Sequence, residues 1–169
     1  QIYSPSTMES IETICEEIFK FEKPAYVRIA KSNFSTNRRN ESLEEFIFEN
    51  PASDILVMTH GKMLKNAYEA ASASQKFSVF AVNKIKPLHA EKLNSLFQKF
   101  KKIVVVEDNF KSGLYNSICQ FLAENKLKND VYFIGPNEEY EKHIGDPKHL
   151  EEKYGLTPDK INQFINQVV

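Results

Sequence analysis

The sequence predicts an α/β protein: a three-layer α/β/α sandwich on a mainly parallel five-stranded sheet with one antiparallel edge strand. Short apolar runs, rich in β-branched or aromatic residues and apolar on both faces, recur along the 169-residue chain. Such runs fit strands that helices cover on both sides. Between them lie stretches with apolar residues at spacings of three and four, the period of a helix packed on one face. Strand alternating with helix through right-handed crossovers makes the sheet mainly parallel.

In chain order, Ser4 is the expected N-cap of a first helix, with Pro5 at its first helical position. Its apolar stripe is Met8, Ile11, Ile14, Cys15, Ile18 and Phe19. That stripe is expected to pack on the following domain or on a second copy of the chain. Residues 25–29 (AYVRI) form the first strand. Residues 32–42 (SNFSTNRRNES) are polar and without period, and read as a linker. One helix and one strand are too little for a core, whereas the residues after the linker suffice for a domain. The expected organisation is therefore 1–31 as the tail of a preceding domain, 32–42 as linker and 43–169 as a domain. An opening Gln1 in place of an initiator Met fits a piece of something longer.

Residues 43–48 and the turn-forming 50–54 (NPASD) lead into the run 55–59 (ILVMT). So short a connection joins only antiparallel strands, which makes 43–48 the antiparallel edge strand. The remaining strands are 77–82 (FSVFAV), 103–107 (IVVVE) and 131–134 (VYFI). Helices are predicted around Met63–Ala71, Leu93–Phe100 and Leu114–Leu122 by their apolar spacing. Asp146-Pro147 starts a short helix that Gly155 closes, and Thr157-Pro158 starts a last one with Ile161, Phe164, Ile165 and Val168 on one face.

Composition excludes several function classes. Apolar residues are 41% and charged residues 27%, the mixture of a globular chain. Lys and Arg number 22 against 23 Asp and Glu, so no field of one sign marks a nucleic-acid or membrane-surface binder. The longest apolar runs fall far short of the roughly 20 residues that span a bilayer. Cys15 and Cys119 are too far apart for a disulfide framework, so a reducing, cytoplasmic setting is expected. No signal-peptide pattern opens the chain.

The common catalytic motifs are absent. The five glycines are too sparse for a dinucleotide or phosphate loop, no histidine pair has metal-ligand spacing, and there is no G-x-S-x-G elbow. An enzyme acting alone is not expected. The positions to weigh are the C-terminal ends of the strands, where open α/β sheets bind ligands. His60 there could be a general base or an anion contact, but a half-exposed loop histidine before a turning Gly61 is the plainer reading. Glu107 and Asp108 could form an acid/base pair or a metal site; adjacent carboxylates at a strand end more often point to opposite faces and cap or pair locally. Ser112-Gly113 could cradle a phosphate or merely cap a helix. Arg28, inside an apolar strand, is expected in an edge or domain-interface salt bridge. Lys31 is a candidate anion contact. His89, His143 and His149 are expected at the surface.

Four stretches resemble the C-terminal domain of transketolase-type thiamine diphosphate enzymes. Residues 54–61 (DILVMTHG) are similar to its first parallel strand and glycine turn, and 82–88 (VNKIKPL) to a strand end closing in Ile-Lys-Pro. Residues 104–109 (VVVEDN) with 112–115 (SGLY) resemble its Glu-Glu stretch and Gly-Gly-Leu-Gly loop. Residues 145–161 resemble the closing segment of transketolases split into two chains. Residues 3–5, the helix that follows them and residues 23–31 look like the last helix and strand of the pyrimidine-binding domain that precedes it.

The resemblance implies a parent enzyme that uses thiamine diphosphate and Mg²⁺ and transfers a two-carbon ketol unit between sugars. It implies a structural, homodimer-supporting role for this part, with the N-terminal domains or a separate N-terminal subunit as partner. A deoxyxylulose phosphate synthase or a 2-oxoacid dehydrogenase beta subunit is the alternative parent; a stand-alone flavodoxin-like module binding a small ligand is the alternative outside the class. The Gly-Asp-Gly metal motif and the cofactor-activating glutamate are not in this sequence, so the chain alone is expected to bind no cofactor and to catalyse nothing. Lys31 stands where relatives place an arginine that reaches the anionic end of the substrate, which makes it the expected sugar-phosphate contact. One glycine, Gly113, remains of the family's loop.

Overall fold

The computed structural model describes residues 1–30, 34–35, 42–139 and 146–168. Five strands form the main sheet: β3 (Glu44–Phe48), β4 (Ile55–Thr59), β5 (Ser78–Val82), β7 (Lys102–Val106) and β8 (Asp130–Ile134). Their order is β3-β5-β4-β7-β8, all neighbours parallel except β3 against β5. The mainly parallel sheet with an antiparallel edge is therefore present. The partner of the edge strand differs from expectation. β3 pairs with β5, not with β4, because the connection through residues 49–54 runs under the sheet end to the centre; Asn50 bonds to Ser78 at the start of β5 instead of closing a hairpin.

Alternation along the central strands places helices on both faces. Ile55 and Val57 of β4 point to one core with α2 (Met63–Ser74) and α6 (Pro158–Val168). Leu56 and Met58 point to the other, with α3 (Ala90–Lys99) and α4 (Leu114–Glu124). A strand buried on both faces tolerates few polar residues, which is why these runs were readable. The short helix α5 (Pro147–Lys153) is capped by Asp146, whose carboxylate accepts the Lys148 N–H at 2.6 Å.

A second, three-stranded sheet was not expected. β1 (Ile2–Tyr3) lies between β2 (Tyr26–Val27), parallel, and β6 (Lys84–Lys86), antiparallel. The expected strand at 25–29 shrinks to two residues. Two- and three-residue strands carry too few side chains to show a period.

The first helix, α1 (Met8–Phe21), starts later than Ser4 and Pro5 predict. Its N-cap is Thr7, because Ser10 at the third helical position reciprocates: Thr7 Oγ1 accepts from Ser10 N–H and Ser10 Oγ accepts from Thr7 N–H, both at 3.1 Å. Of the six residues of its expected stripe, Ile14 alone is buried, against Tyr3 and Leu43. Ile11 and Ile18 are half-buried, while Met8, Cys15 and Phe19 are exposed, Phe19 at 81%. Helical geometry puts those three on the side opposite Ser10 and Ile14.

Phe34, within the expected linker, packs on α2 with its ring 5.9 Å from that of Tyr68. Cys15 and Cys119 are both free thiols. Among the described residues no helix is long and apolar enough to cross a membrane.

Candidate functional site

β4 continues to α2 on one face of the sheet and β7 to α4 on the other. The two central strands thus diverge at their C-terminal ends, the place where open α/β sheets keep a crevice for ligands. His60 follows β4 and Glu107 follows β7, and the fold brings them together: His60 Nε2 lies 3.2 Å from Glu107 Oε2. His60 Nδ1 lies 2.9 Å from Ser4 Oγ. Neither was paired with the other in the sequence, because 47 residues separate them.

The half-exposed histidine expected at position 60 is in fact buried, 3% exposed. The N-terminal segment covers it. Tyr3, Ser4, Ser6 and Thr7 are buried in the crevice. Ser4 N–H donates to the Asn83 carbonyl and Ser6 N–H to the Asn83 side-chain oxygen, each at 2.8 Å. Gly61, at φ +59°, turns the chain away immediately after His60, and a side chain there would meet Ser4 Oγ at 3.2 Å.

Glu107 is fully buried and fully used. Oε1 accepts the N–H of Tyr115 and Oε2 that of Leu114, both at 3.0 Å. The carboxylate therefore caps α4 and meets its positive end. Both backbone N–H groups donate to the carboxylate; a neutral His60 that donates to it from Nε2 has Nδ1 left to accept the Ser4 hydroxyl. The expectation that Glu107 caps locally holds. The Ser112-Gly113 pair does not cap through a side chain: Gly113 is the N-cap residue and Glu107 supplies the acceptor. The glycine is needed for space. A Cβ at Gly113 would sit 2.3 Å from Glu107 Oε2.

Asp108 points elsewhere and pairs with Arg28, in a salt bridge as expected of that arginine at a sheet edge or domain interface. Arg28 Nη1 and Nη2 donate to its two oxygens at 2.8 and 3.1 Å. Burial alone would raise the Asp108 carboxyl, but hydrogen bonds and charge from Arg28, with Lys62 and His60 adding, hold it below its ordinary value. The same bonds raise the Arg28 guanidinium. Lys62 extends the chain of charges to Glu151 of α5 at 3.1 Å.

Serine, histidine and carboxylate stand in the order of an acyl-transfer triad. Here Ser4 is 3% exposed, and its oxygen is enclosed by the chain it belongs to. The array fixes a segment in place. Among the described residues no group of three or more His, Cys, Asp or Glu could hold a metal ion. His89 and His149 are exposed, as expected. Lys31 and His143 lie outside the described residues.

Fold and crevice define an α/β/α domain whose strand-end ligand position is taken by a preceding stretch of its own chain. The family model of the transketolase C-terminal domain matches residues 45–161, well over half of the chain, and the chain belongs to that family. The domain is shared by thiamine diphosphate-dependent enzymes. The chain is 25% identical over 178 residues to the 1-deoxy-D-xylulose-5-phosphate synthase of Clostridium perfringens, covering 99% of this chain and 29% of that protein. It is 27% identical over 175 residues to the synthase of Clostridium acetobutylicum, covering 97% and 28%. Over 121 residues it is 30% identical to that of Bacteroides fragilis, covering 68% and 18%. The chain thus spans less than a third of these relatives' length. A solved structure described as a split gene transketolase, inactive beta4 tetramer, superposes with a TM-score of 0.83 at 24% identity, covering 99% of this chain and 57% of that one.

Proposed function

We propose that this chain is the C-terminal, structural and subunit-supporting part of a thiamine diphosphate- and Mg²⁺-dependent enzyme that transfers a two-carbon ketol unit between sugars, and that it is not catalytic alone. The observation that carries this reading is the filled crevice. A domain that bound its own substrate at the strand ends would keep them open; here residues 3–7 are buried there on Asn83, His60 and Glu107.

The residues present do not fit the cofactor. Glu107 accepts from α4 through both oxygens and meets His60 through Oε2, and Asp108 is taken by Arg28. Both carboxylates are committed to bonds within the chain, and among the described residues no group of three or more His, Cys, Asp or Glu could hold Mg²⁺. Cofactor binding is therefore assigned to N-terminal domains or to a separate N-terminal subunit, a partnership that the split-gene neighbour supports. Self-association is proposed as well, since that neighbour assembles as a tetramer and α1 exposes Met8, Phe19 and Phe21.

A second reading is favoured by the curated relatives: the parent is a 1-deoxy-D-xylulose-5-phosphate synthase. Both readings assign Lys31 to the anionic end of a sugar phosphate. The test is made on the chain alone and on the intact enzyme. Calorimetric titration of the chain with thiamine diphosphate and Mg²⁺ is expected to show no micromolar binding. Lys31→Ala in the intact enzyme is expected to raise KM for a phosphorylated substrate about ten- to hundredfold. It should leave kcat nearly unchanged, because a contact remote from the reacting carbons binds ground and transition states alike. Unchanged constants would remove Lys31 from the site.

A further inference from the structure

A cavity of about 530 Å³ lies between one face of α4 and the connection from β6 into α3, in the size range of small-molecule sites. Its lining follows α4 from Ser117 to Asn125. The strand-end crevice meets that helix at its opposite end, where Glu107 caps it. We propose that this cavity binds a small organic cation, a protonated amine on a compact apolar body.

The apolar part of the lining is fixed by the core. Ile85 and Phe121 are buried, and Leu88 packs on the same cluster. The polar part is left with acceptors. Ser117 Oγ donates to the Gly113 carbonyl at 3.2 Å and Asn125 Nδ2 to the Phe121 carbonyl at 2.8 Å. Gln120 Nε2 donates to Glu124 Oε1, also at 2.8 Å. Each of these side chains spends a donor on α4 itself and keeps oxygen lone pairs. Charge points the same way. Glu124 is the last residue of α4, that turn holds no basic residue, and among the described residues no cation pairs with the carboxylate. A carboxylate at the negative end of a helix dipole is relieved by a cation and opposed to an anion. Lys86 also lines the cavity, but it is exposed, and its long stem can cover apolar surface while the ammonium stays in water. A divalent metal ion would find one carboxylate and no use for the apolar wall, whereas an amine with an apolar body uses both. The site is independent of the reading given to the crevice and to Lys31.

The test titrates the 169-residue chain with phenethylammonium and follows backbone amide shifts, with phenethyl alcohol, phenylpropionate and methylammonium as comparisons. Phenethylammonium is expected to move Leu88, Ser117, Phe121 and Asn125 together. It should bind at least about threefold more tightly than the alcohol of the same shape, the scale of a partly exposed charge contact. Methylammonium, which forfeits the apolar wall, should bind at least about tenfold more weakly, and phenylpropionate more weakly than the alcohol. Glu124→Gln, at an exposed position, should weaken phenethylammonium about threefold or more and leave the alcohol unchanged. Ala90→Phe fills the cavity from an exposed position without touching a charge and should abolish the shifts from both; it serves if the charge variant fails to fold. The proposal is overturned if phenethylammonium moves other residues instead, or if the alcohol, the carboxylate or methylammonium binds as tightly. It is equally overturned if either folded variant binds phenethylammonium like the parent, or if nothing binds at about 10 mM.

Discussion

On its inner side the N-terminal segment presents Ser4, Ser6, Thr7 and Ser10, all buried. The large apolar residues that the same segment exposes are Ile2, Met8, Phe19, Phe21, Tyr26 and Ile29, beside exposed Glu12, Glu16 and Lys20. The inner side sets these polar groups beside buried Tyr3 and Ile14, while the outer side leaves large apolar groups in water among charged ones. Buried polar groups are held here because nearly every one has a fixed partner, and such bonds specify one register and one orientation. The apolar side specifies nothing so narrow. It carries surface large enough to attract a partner while leaving the partner's identity open. Docking onto the strand ends is therefore built from directional bonds, and association with anything further is left to hydrophobic area.

The comparison breaks first at Glu107. Glu107→Ala strands two backbone N–H groups and the His60 ring in a dry site, and each orphan costs on the order of 1–3 kcal/mol. A loss of about 3–5 kcal/mol in urea unfolding is expected, the range seen when one partner of a buried charged set is removed. Gly113→Ala drives a Cβ to 2.3 Å from the same carboxylate oxygen and should cost about 1–3 kcal/mol, an overpacking effect with no lost polar group. Ser4→Ala should cost about 1 kcal/mol, and the loss should be local. Amide exchange should quicken in β1 and β2 while β4 and β7 stay protected.

Acid sharpens the contrast. The Asp108 carboxyl sits below its ordinary 3.8 in the folded chain, so its stabilisation is complete above about pH 4 and is lost as pH falls through the folded value. Asp108→Asn should cost roughly 1 kcal/mol or less at pH 7, Arg28 being partly exposed, and should flatten that acid limb in unfolding curves between pH 5 and about 2. The smallest effect belongs to the outer side. Phe19→Glu should shift stability by no more than about 0.5 kcal/mol, and it should weaken self-association measured by sedimentation.

The main sheet was legible because its strands are buried on both faces and its helices on one, patterns that single sequences carry plainly. Ile55–Thr59 and Lys102–Val106 differ from the expected spans by a residue at most. β3 was recognised as an antiparallel edge and given the wrong neighbour, since a short connection does not reveal that a third strand has been inserted. The crevice was only half legible. His60, Glu107 and Arg28 all stand out in the sequence, but the side-chain bonds His60–Glu107 and Arg28–Asp108 span 47 and 80 residues and no local spacing announces them. Ser4 was assigned to a helix cap that Thr7 holds. Gly113, six residues after Glu107, leaves the room in which the carboxylate reaches backbone N–H groups, whereas in the sequence it reads only as part of a phosphate cradle or a helix cap.

The central claim is that residues 3–7 occupy the strand-end crevice as a fixed part of the folded chain. Amide hydrogen exchange on the 169-residue chain tests it most directly. The amides of Ser4 and Ser6, both bonded to Asn83, should be protected by orders of magnitude over free-chain rates, approaching the protection of Val104 in the central sheet. Exchange of both at free-chain rates while Val104 stays protected would mean that the segment is undocked and the crevice open, and the account would be wrong.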